Sequence, residues 1–260
     1  MDSCTNKLYH VHGFDSRLHL ENYFSDKPEM VFAEDSLVFP VSIFEFFFST
    51  GHINGDILID LSPGSLIHHL YSACDFFKNI IVLKPNDRCI LELKRWVDTR
   101  TGAFDWGHAT KLHVNMEENS DQFQEKEEKV RSAIQRVMKC NLDEENITDP
   151  IVLPPADCII SACLLDFISR DQDDYIKYLK KVSSLLKPGG HLILIGLRDV
   201  TYYTVGKERF QAFTYDEEFV RKALAGEGFV IDDYKSKKRT AESDLVDYKE
   251  VLFIVAHKEK

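Results

Sequence analysis

The chain lacks several features that would narrow its function at once. It has no apolar run of about eighteen residues, which excludes a membrane-spanning helix. Its 32 Lys and Arg residues are outnumbered by 43 Asp and Glu residues, and the resulting net charge of -11 repels nucleic-acid phosphates. The first residues, Met1–Lys7, are polar and have no apolar core of the kind that secretory signals contain. We therefore expect a cytoplasmic protein that binds neither membranes nor nucleic acids.

Cysteine is also scarce, with six in 260 residues, and most of them fall in predicted strands or helices. Buried, reduced thiols are the usual explanation for such cysteines in a cytosolic protein. Cys158 and Cys163 flank a strand at a spacing that suits neither zinc nor a redox pair. His10 and His12 have no third ligand fixed by spacing, so a surface or capping pair is favoured over a metal site. We expect no metal.

Glycine is scarce in the turn around which the chain is organised. The apolar run Asp56–Leu61 predicts a buried parallel strand, and a helix is predicted over Leu66–Phe77 because its apolar residues share one stripe. Strand, tight turn and helix form the opening of a nucleotide-binding α/β unit, in which the backbone of the turn faces the ligand. Here the turn contains Ser62 and Pro63 before a single glycine, Gly64.

Further strands and helices alternate along the rest of the chain. The predicted strands are Asn79–Lys84, a weak Leu112–Val114, Cys158–Cys163, His191–Gly196, Gly228–Ile231 and Val251–Val255. Residues 117–130 are nearly all polar and predict a solvated linker that runs into a helix ending at Met138. The alternation predicts one doubly wound α/β domain over residues 1–260, with a helical cap at 1–48 and the α/β core at 55–260.

The predicted cap is rich in phenylalanine. Phe44, Phe46, Phe47 and Phe48 are too continuous for a helix with one apolar face, so they are either buried or part of an interface. Burial is the commoner explanation. If no ligand lies under the cap, self-association through these residues becomes a second expectation.

Several short motifs carry a resemblance to a known family. They are Leu70–Cys74, Phe104–Trp106, Glu125–Lys129, Lys139–Cys140, Leu153–Cys158 and Ser184–Gly190. The chain resembles class I S-adenosylmethionine-dependent methyltransferases from about Tyr9 to Lys258, and within them the nicotinamide, phenylethanolamine and indolethylamine N-methyltransferases. In length and motif order the likeness is strongest to the nicotinamide members. It implies a seven-stranded, Rossmann-like, mostly parallel sheet and a cytosolic enzyme that methylates small amines or pyridines.

The resemblance also places the cofactor-binding positions of the family, and most of them differ here. They correspond to Ser62, Gly64, His68, Lys84, Cys89, Asn141 and Leu142. Ser62 stands where the family has glycine and adds a Cβ to the turn. Lys84 stands where an acidic residue accepts both ribose hydroxyls, and an ammonium group can only donate. Asn141 is a milder replacement of an Asp, because its amide oxygen still accepts.

The substrate-pocket positions that the resemblance implies are His19, Phe24, Ala162, Gly196 and Tyr203. His19 and Phe24 replace tyrosines that fold over the methionine and the substrate. Gly196 replaces an acidic residue that holds the substrate amide. Two structural alternatives remain open: His68 and His69 as ordinary helix surface, and Tyr202 with Tyr203 as a packed aromatic pair.

Two hypotheses follow. Because the altered positions carry chemistry while the retained motifs carry the fold, we favour a protein that has kept the fold but lost S-adenosylmethionine binding and catalysis. Such a protein would use no cofactor, would have no catalytic residues, and would serve a structural, assembly or other ligand-binding role. The alternative is an active S-adenosylmethionine-dependent N-methyltransferase of small amines or pyridines.

Overall fold

The apolar run Asp56–Leu61 contains a buried strand in the computed structural model, which describes residues 13–117 and 120–259. The strands of the main sheet are β1 Ile57–Asp60, β2 Asn79–Lys84, β3 Ile134–Lys139, β4 Ala156–Ala162, β5 Leu186–Arg198, β8 Phe229–Lys238 and β9 Glu250–Lys258. They form a seven-stranded sheet in the order β3-β2-β1-β4-β5-β9-β8. The pairs on both sides of β9 are antiparallel and the others are parallel. The predicted α/β class and sheet are confirmed.

Helices cover the sheet and its carboxyl edge. They are α1 Ser16–Tyr23, α2 Phe39–Ser49 preceded by a π-helical segment Ala33–Val38, α3 Leu70–Ala73, α4 Asp87–Val97, α5 Gly107–Met116, α6 Phe123–Ala133, α7 Leu164–Ile168, α8 Gln172–Ser184 and α9 Glu217–Gly226. A hairpin of β6 Tyr202–Val205 and β7 Glu208–Gln211 follows β5. No helix in the described part of the chain is long and apolar enough to cross a membrane.

Asp15 and Asp216 show how the sequence sets the helix starts. The Asp15 carboxylate accepts a hydrogen bond from the N–H of Leu18 at the start of α1. The Asp216 carboxylate accepts one from Phe219 at the start of α9, as its position before an amphipathic run predicts. Both satisfy backbone donors that the first turn of a helix leaves unpaired.

The third strand is not where the sequence predicts it. The residues Leu112–Val114 lie in α5, whose buried residues recur at helical spacing. The real third strand is Ile134–Lys139, which pairs in parallel with β2 and was predicted as the end of a helix. It is an edge strand with exposed polar residues, so it lacks the apolar run that marks the inner strands.

The segment after β1 is less helical than predicted. Of the residues 66–77, only Leu70–Ala73 form an α-helix. Ser65 donates through Oγ to the carbonyl oxygen of Cys89 at 2.8 Å, and His69 donates through Nε2 to Asp60 at 2.7 Å. These two side-chain bonds tie the segment to neighbouring elements, and side-chain bonds of this kind compete with regular helix formation.

The phenylalanines of α2 are divided between core and surface. Phe44 and Phe48 are fully buried, and the Phe44 ring meets Phe253 of β9 edge-on with centroids 5.0 Å apart. Phe46 is 55% exposed. Burial therefore explains part of the aromatic run, and self-association through the remainder stays a prediction.

Candidate functional site

A cavity of about 100 Å³ lies between the cap and the carboxyl ends of β4 and β5. Its wall is largely aromatic and aliphatic. The lining residues are His19, Tyr23, Phe24, Phe32, Asp35, Ser36, Pro40, Pro63, Leu66, His68, Ala162, Cys163, Phe167, Ile195, Leu197, Tyr203, Val246, Tyr248 and Val251. The carboxyl ends of parallel strands are where ligands bind in open α/β sheets, so the position is that of a binding site.

Asp35 joins the cap to the loop before β9 across this cavity. Its buried carboxylate accepts hydrogen bonds from the N–H of Thr240 at 2.8 Å, the N–H of Ala241 at 3.1 Å and the hydroxyl of Tyr248 at 2.7 Å. Burial alone would raise the pKa of Asp35, but the bonds from Tyr248 and Thr240 lower it below the ordinary value. Asp35 is therefore an ionised clamp that closes one side of the cavity.

A second polar cluster lies beside the cavity, at the carboxyl ends of β1 and β2. Lys84 and Asp60 are both fully buried, and Lys84 donates through Nζ to Asp60 Oδ2 at 3.0 Å and to the carbonyl oxygen of Ser62 at 2.8 Å. The other Asp60 oxygen accepts from His69 Nε2 and from the Ser62 hydroxyl, each at 2.7 Å. Burial alone would raise the pKa of Asp60, but Lys84 and His69 hold it well below the ordinary value.

This cluster accounts for the unusual composition of the turn. The Ser62 hydroxyl points back to Asp60 and also accepts from the N–H of Ala162 at 3.3 Å. Gly64 has φ of +63°, and a Cβ added there would lie 2.5 Å from His19 Nδ1. The single glycine of the turn thus occupies the position where both the backbone conformation and the approach of α1 require it.

The structure places four of the five predicted substrate-pocket residues in one wall. His19, Phe24, Ala162 and Tyr203 all line the cavity. The Tyr203 ring stacks on Phe167 with centroids 4.0 Å apart, so Tyr203 is both a packed aromatic and a lining residue.

Gly196 is the exception. Its neighbours Ile195 and Leu197 line the cavity, whereas a Cβ added at Gly196 would lie 2.1 Å from the Tyr215 hydroxyl and 3.2 Å from Asp166 Oδ2. No side chain fits there without displacing Tyr215. The loss of the family's acidic residue at this position is therefore matched by a tyrosine that fills the space.

The predicted cofactor positions have different environments. Ser62 and Lys84 belong to the Asp60 cluster, His68 lines the cavity, and Cys89 is buried beside Ser65. Burial raises the pKa of the Cys89 thiol to about 11, which leaves it unionised at neutral pH. Leu142 is buried and Asn141 is exposed, with its Oδ1 accepting from the N–H of Asp143 at 3.1 Å.

His68 and His69 are not helix surface. His68 is 3% exposed and His69 is fully buried, so that alternative is wrong. Burial, together with His69 and His113, lowers the pKa of His68 well below its ordinary value, and the ring is neutral at pH 7. His10 and His12 lie outside the described residues.

Sequence reasoning missed the residues that close the cavity and the partner of Lys84. Asp35 and Tyr248 belong to no motif, and no spacing in the sequence connects them. Asp60 and Lys84 did carry a signal, because opposite charges end two neighbouring parallel strands. Parallel strand ends meet at one edge of a sheet, so this pair was predictable.

With this geometry in view, comparisons with known proteins decide the family. The model of the NNMT/PNMT/TEMT family matches residues 3–259. The chain belongs to this family. It is 33% identical over 245 residues to indolethylamine N-methyltransferase of Oryctolagus cuniculus, covering 94% of this chain and 93% of the relative. It is 31% identical over 256 residues to human nicotinamide N-methyltransferase, covering 98% and 96% respectively.

Solved structures agree on the fold. Magnesium protoporphyrin IX methyltransferase of Synechocystis, determined with bound S-adenosylmethionine, has a TM-score of 0.60 at 12% identity, covering 100% of this chain and 98% of that chain. The N-methyltransferase NodS of Bradyrhizobium japonicum, in complex with S-adenosyl-L-homocysteine, has a TM-score of 0.55 at 12% identity and covers 100% of both chains.

These findings correct the hypothesis that this chain has lost its cofactor and its activity. The relatives that match nearly its whole length are named N-methyltransferases, and the fold is shared with methyltransferases that hold S-adenosylmethionine or its product. The expectation of no cofactor and a non-catalytic role was therefore wrong. That expectation relied on a few substituted cofactor positions and gave too little weight to the similarity along the whole chain.

Proposed function

We propose that this protein is an S-adenosylmethionine-dependent N-methyltransferase that acts on a small nitrogen compound. The observation that carries the proposal is the family match over residues 3–259 combined with an aromatic cavity at the carboxyl ends of β4 and β5. When bound, S-adenosylmethionine would supply an electrophilic methyl group: the lone pair of a substrate nitrogen would form the new N–C bond as the S–C bond breaks, and S-adenosylhomocysteine would leave. The family match favours small amines or pyridines as the substrate.

The chain's own residues divide the work of binding. The cap and the Asp35 clamp line one side of the cavity, while Phe24, Phe167 and Tyr203 offer ring surfaces to a flat substrate. On the cofactor side, the turn at Gly64 and the residues Asn141 and Leu142 stand at positions that the family uses.

The ribose position does not fit the family's mode of binding. Lys84 has no acceptor atom, and its ammonium already donates to Asp60 and Ser62. A hydrogen bond to a charged group contributes about 1.5–3 kcal/mol, so each such bond lost weakens cofactor binding by roughly tenfold to a hundredfold. We therefore propose binding that is weaker than a ribose carboxylate would give.

The test is methyl transfer by the purified full chain. The protein is incubated with S-adenosylmethionine labelled on the methyl group and a panel of primary amines, pyridines and azoles, and labelled products are counted. The variant Gly64→Val should lose methyl transfer, because Gly64 has φ of +63° and a Cβ added there would meet His19. Absence of transfer, together with no cofactor binding by calorimetry at millimolar concentration, would refute the proposal.

A further inference from the structure

The turn after β1 is buried, although a turn of this kind is where a ligand contacts the backbone. Residues 61–70 are all buried, with Ser62 fully inaccessible and Ser65 2% exposed. Lys84, at the end of the neighbouring strand β2, is also fully inaccessible. In a nucleotide-binding α/β unit the ligand lies on the backbone of this turn. Here another part of the chain covers that surface.

The element that covers the turn is α1. The Ser16 hydroxyl lies 2.5 Å from the Ser65 hydroxyl, and because Ser65 donates its own proton to the carbonyl oxygen of Cys89, Ser16 is the donor. A Cβ added at Gly64 would lie 2.5 Å from His19 Nδ1, so the His19 ring packs directly against the turn. The helix α1 therefore occupies the face of the turn that a ligand needs.

Arg17 holds the same helix against α4 and the loop that follows it. Its guanidinium forms a salt bridge with Glu92 of α4 at 2.7 Å and donates to the carbonyl oxygen of Gly102. It also lies 5.8 Å from the centroid of the Phe104 ring. With Ser16 bonded to the turn and Arg17 bonded to α4, α1 bridges the gap between the carboxyl ends of β1 and β2. This contact is separate from the turn, so it can be removed without altering the surface that a cofactor meets.

An exposed segment connects α1 to the rest of the cap. Residues 26–29 are exposed, whereas the next part of the cap is fixed by the Asp35 clamp through Thr240, Ala241 and Tyr248. Elements joined by segments with few buried contacts open locally without unfolding the domain. The fold therefore allows α1 to leave the turn while the clamp and α2 stay in place. Leu20 of α1 is fully buried, so the docked position is the favoured one.

We infer that α1 is an autoinhibitory lid: while it lies on the turn, S-adenosylmethionine cannot bind, and binding requires α1 to lift. A ligand that binds only the open form has its apparent affinity reduced by the fraction of molecules that are open. Loosening α1 should therefore strengthen cofactor binding, which is the reverse of what the loss of a ligand contact does. That the ligand is S-adenosylmethionine rests on the proposed function, whereas the lifting of α1 does not.

The lifting of α1 is measured first, without any ligand, through the Cys89 thiol. Cys89 is 2% exposed, and Ser16 of α1 is one of its hydrogen-bond partners. The purified full chain is treated with iodoacetamide, and the labelling rate of each cysteine is read by peptide mass spectrometry. Arg17→Ala removes a partly exposed ion pair, so it should speed the labelling of Cys89 by about threefold to tenfold.

Two controls separate lifting of the lid from general loosening of the fold. Cys158 is fully buried in β4 and reports wider unfolding, so its labelling rate should be the same in Arg17→Ala and in the wild type. Arg100→Ala removes an exposed ion pair with Asp98 that has no contact with α1, and it should change neither rate.

A disulfide tests directly whether the docked lid excludes the cofactor. The 2.5 Å between the Ser16 and Ser65 oxygens is close to the length of an S–S bond, about 2.05 Å, so cysteines at these positions should cross-link α1 to the turn. The variant is Ser16→Cys/Ser65→Cys/Cys89→Ala, in which the last change prevents pairing with the native thiol. Its affinity for S-adenosylhomocysteine is measured by calorimetry after oxidation and again after reduction. The oxidised form should bind roughly tenfold or more weakly than the reduced form.

The outcomes distinguish this inference from the proposed function. Arg17→Ala should bind S-adenosylhomocysteine about threefold to tenfold more tightly than the wild type. Unchanged labelling of Cys89 in Arg17→Ala, failure of the cross-link to form, or measurable and equal affinity of the oxidised and reduced forms would each overturn the inference. If Cys89 labelling rises as expected but no form of the protein binds S-adenosylhomocysteine or transfers a methyl group, the lid stands and the proposed function is contradicted.

Discussion

Two buried aspartates near the carboxyl ends of the central strands have opposite electrostatic surroundings. Asp60, over β1 and β2, has a cation, an imidazole and a hydroxyl bonded to its two oxygens. Asp166, beside β4 and β5, accepts from the N–H of Leu197 at 2.8 Å and has no cationic partner among the described residues. Both are essentially inaccessible to solvent.

The difference appears in their proton affinities. Lys84 and His69 overcome the effect of burial and hold the pKa of Asp60 well below the ordinary value. At Asp166 burial dominates, and the pKa rises to about 7. Charge is therefore compensated internally at the carboxyl ends of β1 and β2. Beside β4 and β5 the fold instead keeps a buried carboxyl group that is about half protonated at pH 7.

The largest effect on the free energy of unfolding should come from removing the cation that pairs with Asp60. Lys84→Met leaves Asp60 buried without its cation, and removing one partner of a buried pair typically costs about 3–5 kcal/mol. We expect a loss of this size in the free energy of unfolding, measured by urea denaturation at pH 7. The double variant Asp60→Asn/Lys84→Met should lose less, because neither charge is then left unpaired.

Lys139 provides the control. It pairs in register with Lys84 on the adjacent strand, but its partner is Asp87, and both side chains are more than half exposed. Exposed pairs contribute about 0–1 kcal/mol, so Lys139→Met should be close to neutral. Similar losses in the two single variants would show that the compensation at Asp60 is not special.

Asp166, which has no cationic partner among the described residues, should make the free energy of unfolding depend on pH. Asp166 has a pKa of about 7 in the folded protein, above its ordinary value of 3.8. A raised pKa contributes stability that is present at low pH and is lost as the pH rises through the folded-state value. Between pH 5 and pH 8, the free energy of unfolding should therefore fall by about 2–3 kcal/mol more in the wild type than in Asp166→Asn.

Urea denaturation of both proteins at four pH values measures this difference. Asp174→Asn is the control, because the hydrogen bonds and charge of Arg170 outweigh burial and lower the pKa of Asp174. The stability that a lowered carboxyl pKa contributes is lost only in acid. Its difference from the wild type should stay flat between pH 5 and pH 8. Parallel profiles for wild type and Asp166→Asn would mean that Asp166 is charged in the folded protein.

Features of the fold and of the site could be predicted where they depend on residues that are close together in the sequence. Inner strands carry continuous apolar runs, so β1, β2, β4 and β5 could be placed from the sequence, whereas the polar edge strand β3 could not. Four residues of the cavity wall were found through the resemblance. The Asp35 clamp was not, because it joins residues 205 positions apart in sequence through loop geometry. The burial and neutrality of the His68 ring depend on what surrounds it in three dimensions.

The smallest effect tests whether the substrate side can be returned to the family's pattern. An added Cβ at Gly196 would lie 2.1 Å from the Tyr215 hydroxyl, so Gly196→Ala should cost about 1–3 kcal/mol of unfolding free energy through overpacking. Gly226→Ala, where nothing lies within 4 Å, should change it by less than about 0.5 kcal/mol.

Gly196→Asp should also fail to create an amide-binding site, because the residue faces Asp166 and Tyr215 and not the cavity. Gly196→Ala/Tyr215→Phe should recover part of the loss, since it removes the nearest clashing atom. If Gly196→Asp is as stable as the wild type and binds nicotinamide more tightly, then Tyr215 moves aside readily, and the glycine is not what separates this cavity from the sites of its relatives.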